Sequence, residues 1–237
     1  MAFETDKRVF AGTAQQAVID EGLRAYMLRV YNYMASGLAL TGIVAYVTAN
    51  SPAMMNAIFG TPLQWVVMLA PLGFVMVLSF GIHRMSFTTV QAVFWAFAAA
   101  MGLSLAAILM VFTGASVARV FFITAGTFAG MSLYGYTTKK DLSGWGSFLF
   151  MGLIGIIIAS IVNIFLASSA LHFAISVIGV LVFVGLTAYD TQNIKNEYSE
   201  HHDGETSGKL AIMGALRLYL DFINLFIMLL QLLGNRR

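Results

Sequence analysis

Residues 210–233 read LAIMGALRLYLDFINLFIMLLQLL, an apolar run from Leu210 to Leu233 interrupted by Arg217, Asp221, Asn224 and Gln231. Together with Met228 these positions are spaced 4, 3, 4, 3, a repeat that returns to one face of an α-helix every two turns. The resulting stripe extends roughly 21 Å at about 1.5 Å per residue. A charge at mid-bilayer costs from about 2.5 to more than 10 kcal/mol, so such groups face a protein interior or an aqueous path and mark ion or proton chemistry. The rest of the chain has to supply that interior.

Its composition fits the task. Hydrophobic residues make up 59% of the chain, charged residues 10%, and the mean hydropathy is +0.82, whereas about a quarter of a soluble domain is charged. The chain reads as an integral membrane protein. Its 237 residues hold one bundle of spans of about 20 residues, with no room for a separate soluble domain. Thirteen basic residues stand against eleven acidic ones, with a pI near 8.9, but no basic patch or nucleic-acid motif accompanies them. The absence of cysteine excludes disulfides, thiolate chemistry and cysteine zinc sites and leaves the compartment open. Residues 1–29 are polar and mixed in charge, with no apolar core ahead of a small-residue cleavage site, so no signal peptide is expected.

Apolar windows fall at 30–49, 64–82, 90–112, 117–136, 146–166, 171–190 and 211–233. They predict an all-α membrane protein of seven transmembrane helices over residues 30–233, preceded by a cytoplasmic tail, 1–29, and followed by a short tail, 234–237. Lysine and arginine occupy alternate connections: Lys7, Arg8, Arg24 and Arg29 in the tail, Arg84 in the second, Lys139 and Lys140 in the fourth, Lys195 and Lys209 in the sixth. Positive charge is retained in the cytoplasm, which places the N-terminus inside. Seven crossings then leave Arg236 and Arg237 outside, against the same rule. Either the last helix spans fully despite them or one segment is re-entrant, and full spanning is the expectation. Gly126 and Gly130 form a small-xxx-small pair suited to close helix packing. Pro71 removes an amide donor inside the second span and predicts a kink.

Asp190 ends the sixth span near the face from which the seventh starts, and Asp221 lies about ten residues into that seventh helix. If Asp190 points inward, the two carboxylates meet in a low-dielectric site where they resist double ionisation and share a proton. The plainer reading of Asp190 is a solvated helix end, and that of Asp221 an ion pair with Arg217 one turn earlier. His201, His202 and Asp203 sit in a polar loop, Glu197 to Lys209, without a second pair of ligands at metal spacing. His83 and Arg84 end the second span and read as interfacial anchors or as a cation partner for a buried carboxylate. His172 is a lone residue at the outer interface. Tyr26, Tyr31, Tyr33, Trp65, Tyr134, Tyr136, Trp145 and Tyr219 suit interfacial belts. No phosphate loop, metalloprotease or nucleophile-elbow motif occurs in a competent context, so neither enzymatic activity nor a cofactor is expected.

Three stretches carry a resemblance: Lys139-Lys140-Asp141-Leu142-Ser143, Tyr189-Asp190-Thr191-Gln192-Asn193-Ile194 and Leu218-Tyr219-Leu220-Asp221-Phe222-Ile223-Asn224-Leu225-Phe226. They resemble the transmembrane Bax-inhibitor-motif family, also called the Bax inhibitor-1 family. With the matching span count the resemblance covers nearly the whole chain, though the first three spans match in hydropathy more than in residues. It implies a bundle of six helices around a central seventh in a bacterial inner membrane. It further implies a pH-sensitive calcium leak and a di-aspartyl sensor that falls on Asp190 and Asp221. A cation at the cytosolic end of the second helix would latch the sensor, a place filled here by His83 or Arg84. The resemblance also implies a link to control of a membrane-bound ATP-dependent protease. Arg217 departs from the family pattern by setting a permanent cation one turn from Asp221, and the second span carries no carboxylate.

Two functional readings follow from the resemblance together with these residues. One is a cation leak for calcium, gated by protonation around Asp190 and Asp221, with Asn224, Thr187 and water completing a weak, transient calcium site. Its partners are membrane lipids and calcium as permeant ion. The other is a non-conducting regulatory partner of the protease, for which the N-terminal tail matters more than the carboxylates. A proton-coupled transporter would need a substrate cavity and internal repeats that the sequence does not display. The topology comes first in any test. Cysteines introduced at Ser51, Ser116 and Ser168 of this cysteine-free chain are expected to label from outside intact cells, and those at Ser143 and Ser207 only after permeabilisation. Outside labelling at Ser207 would invert the arrangement.

Overall fold

The computed structural model describes residues 2–237, with side chains from Asp20 onward; the side chains of Lys7 and Arg8 lie outside the described residues. The helices are α1 (Ala2–Ala49), α2 (Pro52–Phe59), α3 (Leu63–Gly81), α4 (Phe87–Val111), α5 (Gly114–Thr137), α6 (Ser143–Leu166), α7 (Ser169–Glu197) and α8 (Gly204–Leu233). All but the short α2 are long and apolar enough to cross a bilayer, the span within α1 running from Asp20 to Ala49. The protein is an all-α membrane protein.

Local chemistry sets where the helices start. Ser51, Ser86, Thr113, Ser168 and Asp203 each accept a hydrogen bond from the amide three residues ahead, satisfying a donor that the first turn leaves free. Ala167, with φ 47°, turns α6 into α7 through the left-handed region. Several helices run past their apolar windows. The sixth window stops at 190, yet α7 continues to Glu197, and α8 starts at Gly204 rather than at 211. The long polar loop expected over Glu197 to Lys209 shrinks to residues 198–203. Hydropathy registers only the hydrocarbon-embedded part of a helix, and Glu205 with Lys209, paired at 2.8 Å one turn apart, belongs to the part outside it.

Of the spans, α8 is the most buried. Four helices, α1, α4, α5 and α7, pack against it, while α3 packs chiefly on α4 and α6 chiefly on α7. The seventh span is central, as expected, but it is ringed by four helices with two more in an outer rank.

It also runs the full length of α4. Near its start Gly208 abuts the ring of Phe87, at the beginning of α4, and at its end Gly234 abuts the ring of Phe112, just past the end of α4. The two helices therefore span the same thickness. The residues after α8 are tied to the α4–α5 turn: Thr113 donates to the Asn235 carbonyl at 3.0 Å, Arg237 to the Val111 carbonyl at 3.0 Å, and Asn235 to Ser116 Oγ at 2.8 Å. The Arg236 guanidinium lies 5.9 Å from the Phe112 ring centre. Two arginines on this face are thus held in a short strap of backbone pairing. Because Ser116 is buried beneath that strap, the reporters for that side of the membrane are Ser51 and Ser168.

Two packing expectations need correction. Gly126 and Gly130 have no protein atom within van der Waals reach, so they do not bring helices together. The close approach occurs at Gly135, where a Cβ would run into the backbone of Ala188 on α7, and at Gly102, which abuts the Thr41 carbonyl. Spacing alone does not say which face of α5 meets α7. Tyr219 is not interfacial but fully buried: its hydroxyl lies 2.6 Å from Thr41 Oγ1, which itself donates to the Ala98 carbonyl at 2.7 Å. A partnered hydroxyl makes a core tyrosine tolerable. Tyr26 is likewise buried, whereas Trp65, Tyr134 and Trp145 are exposed, as belt residues should be. Pro71 lies buried within α3, and the helix runs on past it.

Gly135→Ala is expected to cost about 1 to 3 kcal/mol by overpacking against the α7 backbone, and Gly130→Ala to be neutral or to stabilise by up to about 1 kcal/mol. Thermal unfolding midpoints of the two variants in detergent check this; equal midpoints would mean that α5 and α7 are not in contact at Gly135.

Candidate functional site in the α7–α8 seam

Ser176, Phe183, Asp190 and Glu197 recur every seven residues on α7 and so share a helix face. On α8 the corresponding face is the polar stripe. The helices run antiparallel, and the stripe closes onto α7 from end to end: Ser176 Oγ donates to Gln231 Oε1 at 2.8 Å, Met228 packs on Gly179, and Arg217 Nη1 donates to Glu197 Oε1 at 2.5 Å. Between these contacts the carboxyl groups of Asp190 and Asp221 face each other at hydrogen-bonding range. Asp221 is 5% exposed, and its Oδ2 has no hydrogen-bond partner among the described residues. Two carboxylates in such contact carry a proton between them or repel.

The stretch bearing Asp190 is fixed from the side of α5. Behind it, the Ala188 backbone rests on Gly135. One residue on, Thr191 Oγ1 donates to the Thr187 carbonyl at 2.7 Å and lies 2.9 Å from Ser132 Oγ, which lies 2.6 Å from Tyr31 Oη. Gln192 Oε1 then accepts from the Leu142 amide and its Nε2 donates to the Lys140 carbonyl, both at 2.8 Å. Lys195 Nζ donates to the Tyr136 carbonyl at 2.9 Å. The motif Lys139 to Ser143 is therefore more than a set of orientation charges, because its backbone is the dock for the motif Tyr189 to Ile194. Asp141 caps this turn through Ser143, whose hydroxyl and amide hold the Asp141 carboxyl below the usual range.

The carboxylates border a cavity of about 520 Å³ between α6, α7 and α8, lined by Ser147, Tyr189, Asp190, Arg217, Asp221 and Asn224 among mostly apolar neighbours. Gly146 admits the Tyr189 side chain to its wall; a Cβ there would stand 2.5 Å from the phenol oxygen. Asn224 Nδ2 donates to the Leu220 carbonyl at 2.8 Å, leaving its oxygen as the end that can accept or ligate. Thr187 is absent from the lining: it is fully buried and its hydroxyl donates to the Phe183 carbonyl at 2.7 Å. Among the described residues no three His, Cys, Asp or Glu side chains converge, so a cation at this place would meet two carboxylates, an amide oxygen and water.

Two cation expectations come out differently. Arg217 pairs with Glu197 across the seam rather than with Asp221 one turn along its own helix. The sequence reading missed Glu197 because it ended the sixth helix at Asp190, and the seven-residue interval from Asp190 to Glu197 was the available signal. His83 and Arg84 are exposed in the turn after α3, do not line the cavity, and form no ion pair among the described residues. No α3 residue contributes to the cavity wall. Elsewhere, His201 and His202 are exposed, while Asp203 is spent as the cap of α8, its carboxyl held below the usual range by the hydroxyl and amide of Thr206. His172 lies one turn before Ser176 and shares no cluster with another metal-ligating side chain among the described residues.

The family model for the inhibitor of apoptosis-promoting Bax1 matches residues 23–237. An uncharacterized protein, RP147, of Rickettsia prowazekii is 50% identical over 225 residues, covering 95% of each chain. The inner membrane protein YbhL of Escherichia coli K12 is 51% identical over 219 residues, 91% of this chain and 94% of that one. A further relative from Caulobacter vibrioides is 48% identical over 229 residues, covering 92% of both. With a family match from the first span to the last residue and relatives of the same length, this chain is a bacterial-type multi-pass membrane protein that belongs to the Bax inhibitor family.

Proposed function

We propose that the protein is a pH-sensitive cation leak for calcium, without enzymatic activity or bound cofactor, in which Asp190 and Asp221 form the sensor. The observation that carries this reading is the meeting of the two carboxyl groups on a cavity wall inside a bundle that crosses the membrane. Buried carboxylates in a membrane interior belong to ion or proton paths. Calcium prefers six to eight oxygen ligands, and the donors here fall short of that number, which suits passage rather than retention. Membership in the family of an inner membrane protein supports an inner-membrane location; the alternation of basic connections supports a cytoplasmic N-terminus.

The gate in this reading is α3. It packs on α2 and α4 and forms none of the cavity wall; in this reading its cationic end, His83 with Arg84, swings toward the sensor. When both carboxylates are ionised they attract that end and close the cytosolic side. Protonation removes the attraction, and acid raises the leak. Arg217 and Glu197 tune the pH of the change in opposite senses. A nearby positive charge favours the ionised carboxylates and a negative one disfavours them.

Calcium flux into liposomes, followed from neutral to mildly acidic pH, tests the sensor. Asp190→Asn and Asp221→Asn are each expected to flatten the pH response, and the double variant to add little because the pair titrates as a unit. A pH response unchanged in the double variant overturns the di-aspartyl reading and leaves the non-conducting protease regulator in front.

A second comparison isolates the field of the neighbouring ion pair. Arg217→Ser removes a positive charge, makes protonation easier, and is expected to move the transition to higher pH. Glu197→Gln frees the guanidinium to act on the carboxylates and is expected to move it lower. A shift of one pH unit in either variant corresponds to about 1.4 kcal/mol of interaction; shifts of the same sign in both would refute an electrostatic origin.

A further inference from the structure

A second cavity lies on the opposite side of the bundle. α1 packs on α4 and α8, and α5 on α7 and α8, leaving between α1 and α5 an open groove of about 1130 Å³ floored by Phe222 of α8. Small residues form its walls: Ala35, Ala39 and Gly42 on α1, with Ala125 and Ala129 on α5. Along α1 its lining runs from Arg24 to Tyr46, about 33 Å of helix against a hydrocarbon thickness of about 30 Å. The groove therefore follows the depth of the bilayer and opens sideways into it.

Polarity is distributed along the groove in one direction. At one rim stands Arg24, exposed and without an ion pair among the described residues, and next to it Tyr136, whose ring lies 5.1 Å from Lys195 Nζ. No carboxylate occurs among its described lining residues. Deeper, two turns along α1 from Arg24 and one turn along α5 from Tyr136, come Tyr31 and Ser132, but their hydroxyls are committed inward. Thr191 gives its proton to the Thr187 carbonyl, so the chain of hydroxyls runs from Tyr31 to Ser132 to Thr191. The floor at that depth demands no polar partner from an occupant. Beyond it the walls are apolar.

A cationic rim above a long, apolar, laterally open trough fits one class of molecule. The geometry points to a phospholipid site, in which an acyl chain lies along α1 and α5 and an anionic headgroup meets Arg24, with Lys195 adding its field, in the leaflet on the side of Arg24. A free anion would have no use for the trough, and a neutral apolar molecule none for the rim. A basic residue near a membrane surface contributes about fivefold in affinity for an anionic lipid, while a chain filling the groove removes a void that the bundle would otherwise leave unpacked.

Native mass spectrometry of the full-length protein, released from mild detergent and titrated with phosphatidylglycerol or phosphatidylethanolamine, tests the site. The wild type is expected to retain phosphatidylglycerol in preference. Arg24→Gln should weaken phosphatidylglycerol about fivefold and leave phosphatidylethanolamine unchanged. Ala129→Trp fills the trough and should displace both lipids, whereas Gly130→Trp, on the neighbouring face that touches no protein, should displace neither; thermal unfolding of both variants verifies that they fold. Equal retention of the two lipids by the wild type, or lipid loss of the same size in Ala129→Trp and Gly130→Trp, would overturn the proposal. So would a dimer that added lipid does not disperse, since a second copy of the chain would then occupy the groove. Should Ala129→Trp fail to fold, the headgroup preference in Arg24→Gln decides alone.

Discussion

A carboxylate in the middle of an apolar helix must be covered by protein, and the α7–α8 seam is how this chain covers Asp221. Water is unavailable in the hydrocarbon, so each polar group on the α8 stripe needs a partner from the bundle. α7 provides them at matching heights: Glu197 for Arg217, Asp190 for Asp221 and Ser176 for Gln231, with Gly179 leaving space for Met228. Apolar contacts between membrane helices slide easily, because lipid tails are as good a solvent for leucine as another helix is. Polar pairs at fixed spacing do not slide. They set the register of α7 against α8, and through it the height of everything docked on α7.

The other faces of α8 are secured by shape. Tyr219 stands 5.0 Å, ring to ring, from Phe97 of α4 and bonds Thr41 of α1, while Phe222 stands 5.5 Å from both Phe121 and Phe128 of α5. Edge-to-face aromatic pairs add direction to a contact that dispersion alone would leave loose. The central helix is thus polar toward α7 and aromatic toward α1, α4 and α5. This division puts the carboxylate cavity and the α1–α5 groove on opposite sides of one helix, connected through the hydroxyls of Tyr31, Ser132 and Thr191, the last adjacent to Asp190.

The sequence displayed the architecture where a strong periodicity or a large energy was at stake. Seven spans, the one-sided stripe on α8 and the central place of that helix follow from hydropathy and from the cost of burying charge. The direction of two successive helices allowed Asp190 to meet Asp221, but only on the condition that Asp190 points inward, which hydropathy does not decide. What stayed hidden depended on rotation about a helix axis. Gly126 and Gly130 have the spacing of a packing motif, yet Gly135, without that spacing, makes the contact. The partner of Arg217 lay beyond the apolar window of α7, in the polar end of that helix, which hydropathy does not register. Gln192 reads as an ordinary polar residue at a helix end until the Lys140 carbonyl and the Leu142 amide are brought to it by the fold.

The Arg217–Glu197 pair also shows why closeness of charge and stabilisation are separate matters. Its side chains remain 39% and 31% exposed, and a pair so open to solvent contributes about 0 to 1 kcal/mol to folding. Stability is a poor reason for its presence. Position is a better one: on α8 the guanidinium is one turn from Asp221, and Glu197 on α7 draws it away along the seam. Without Glu197 the nearest anions to Arg217 would be the two aspartates themselves, and an arginine bound to them would offset one of their two charges permanently, since its own charge does not titrate in the physiological range. By holding the cation aside, Glu197 leaves Asp190 and Asp221 facing each other and a cavity, with a proton as the smallest change that alters their charge.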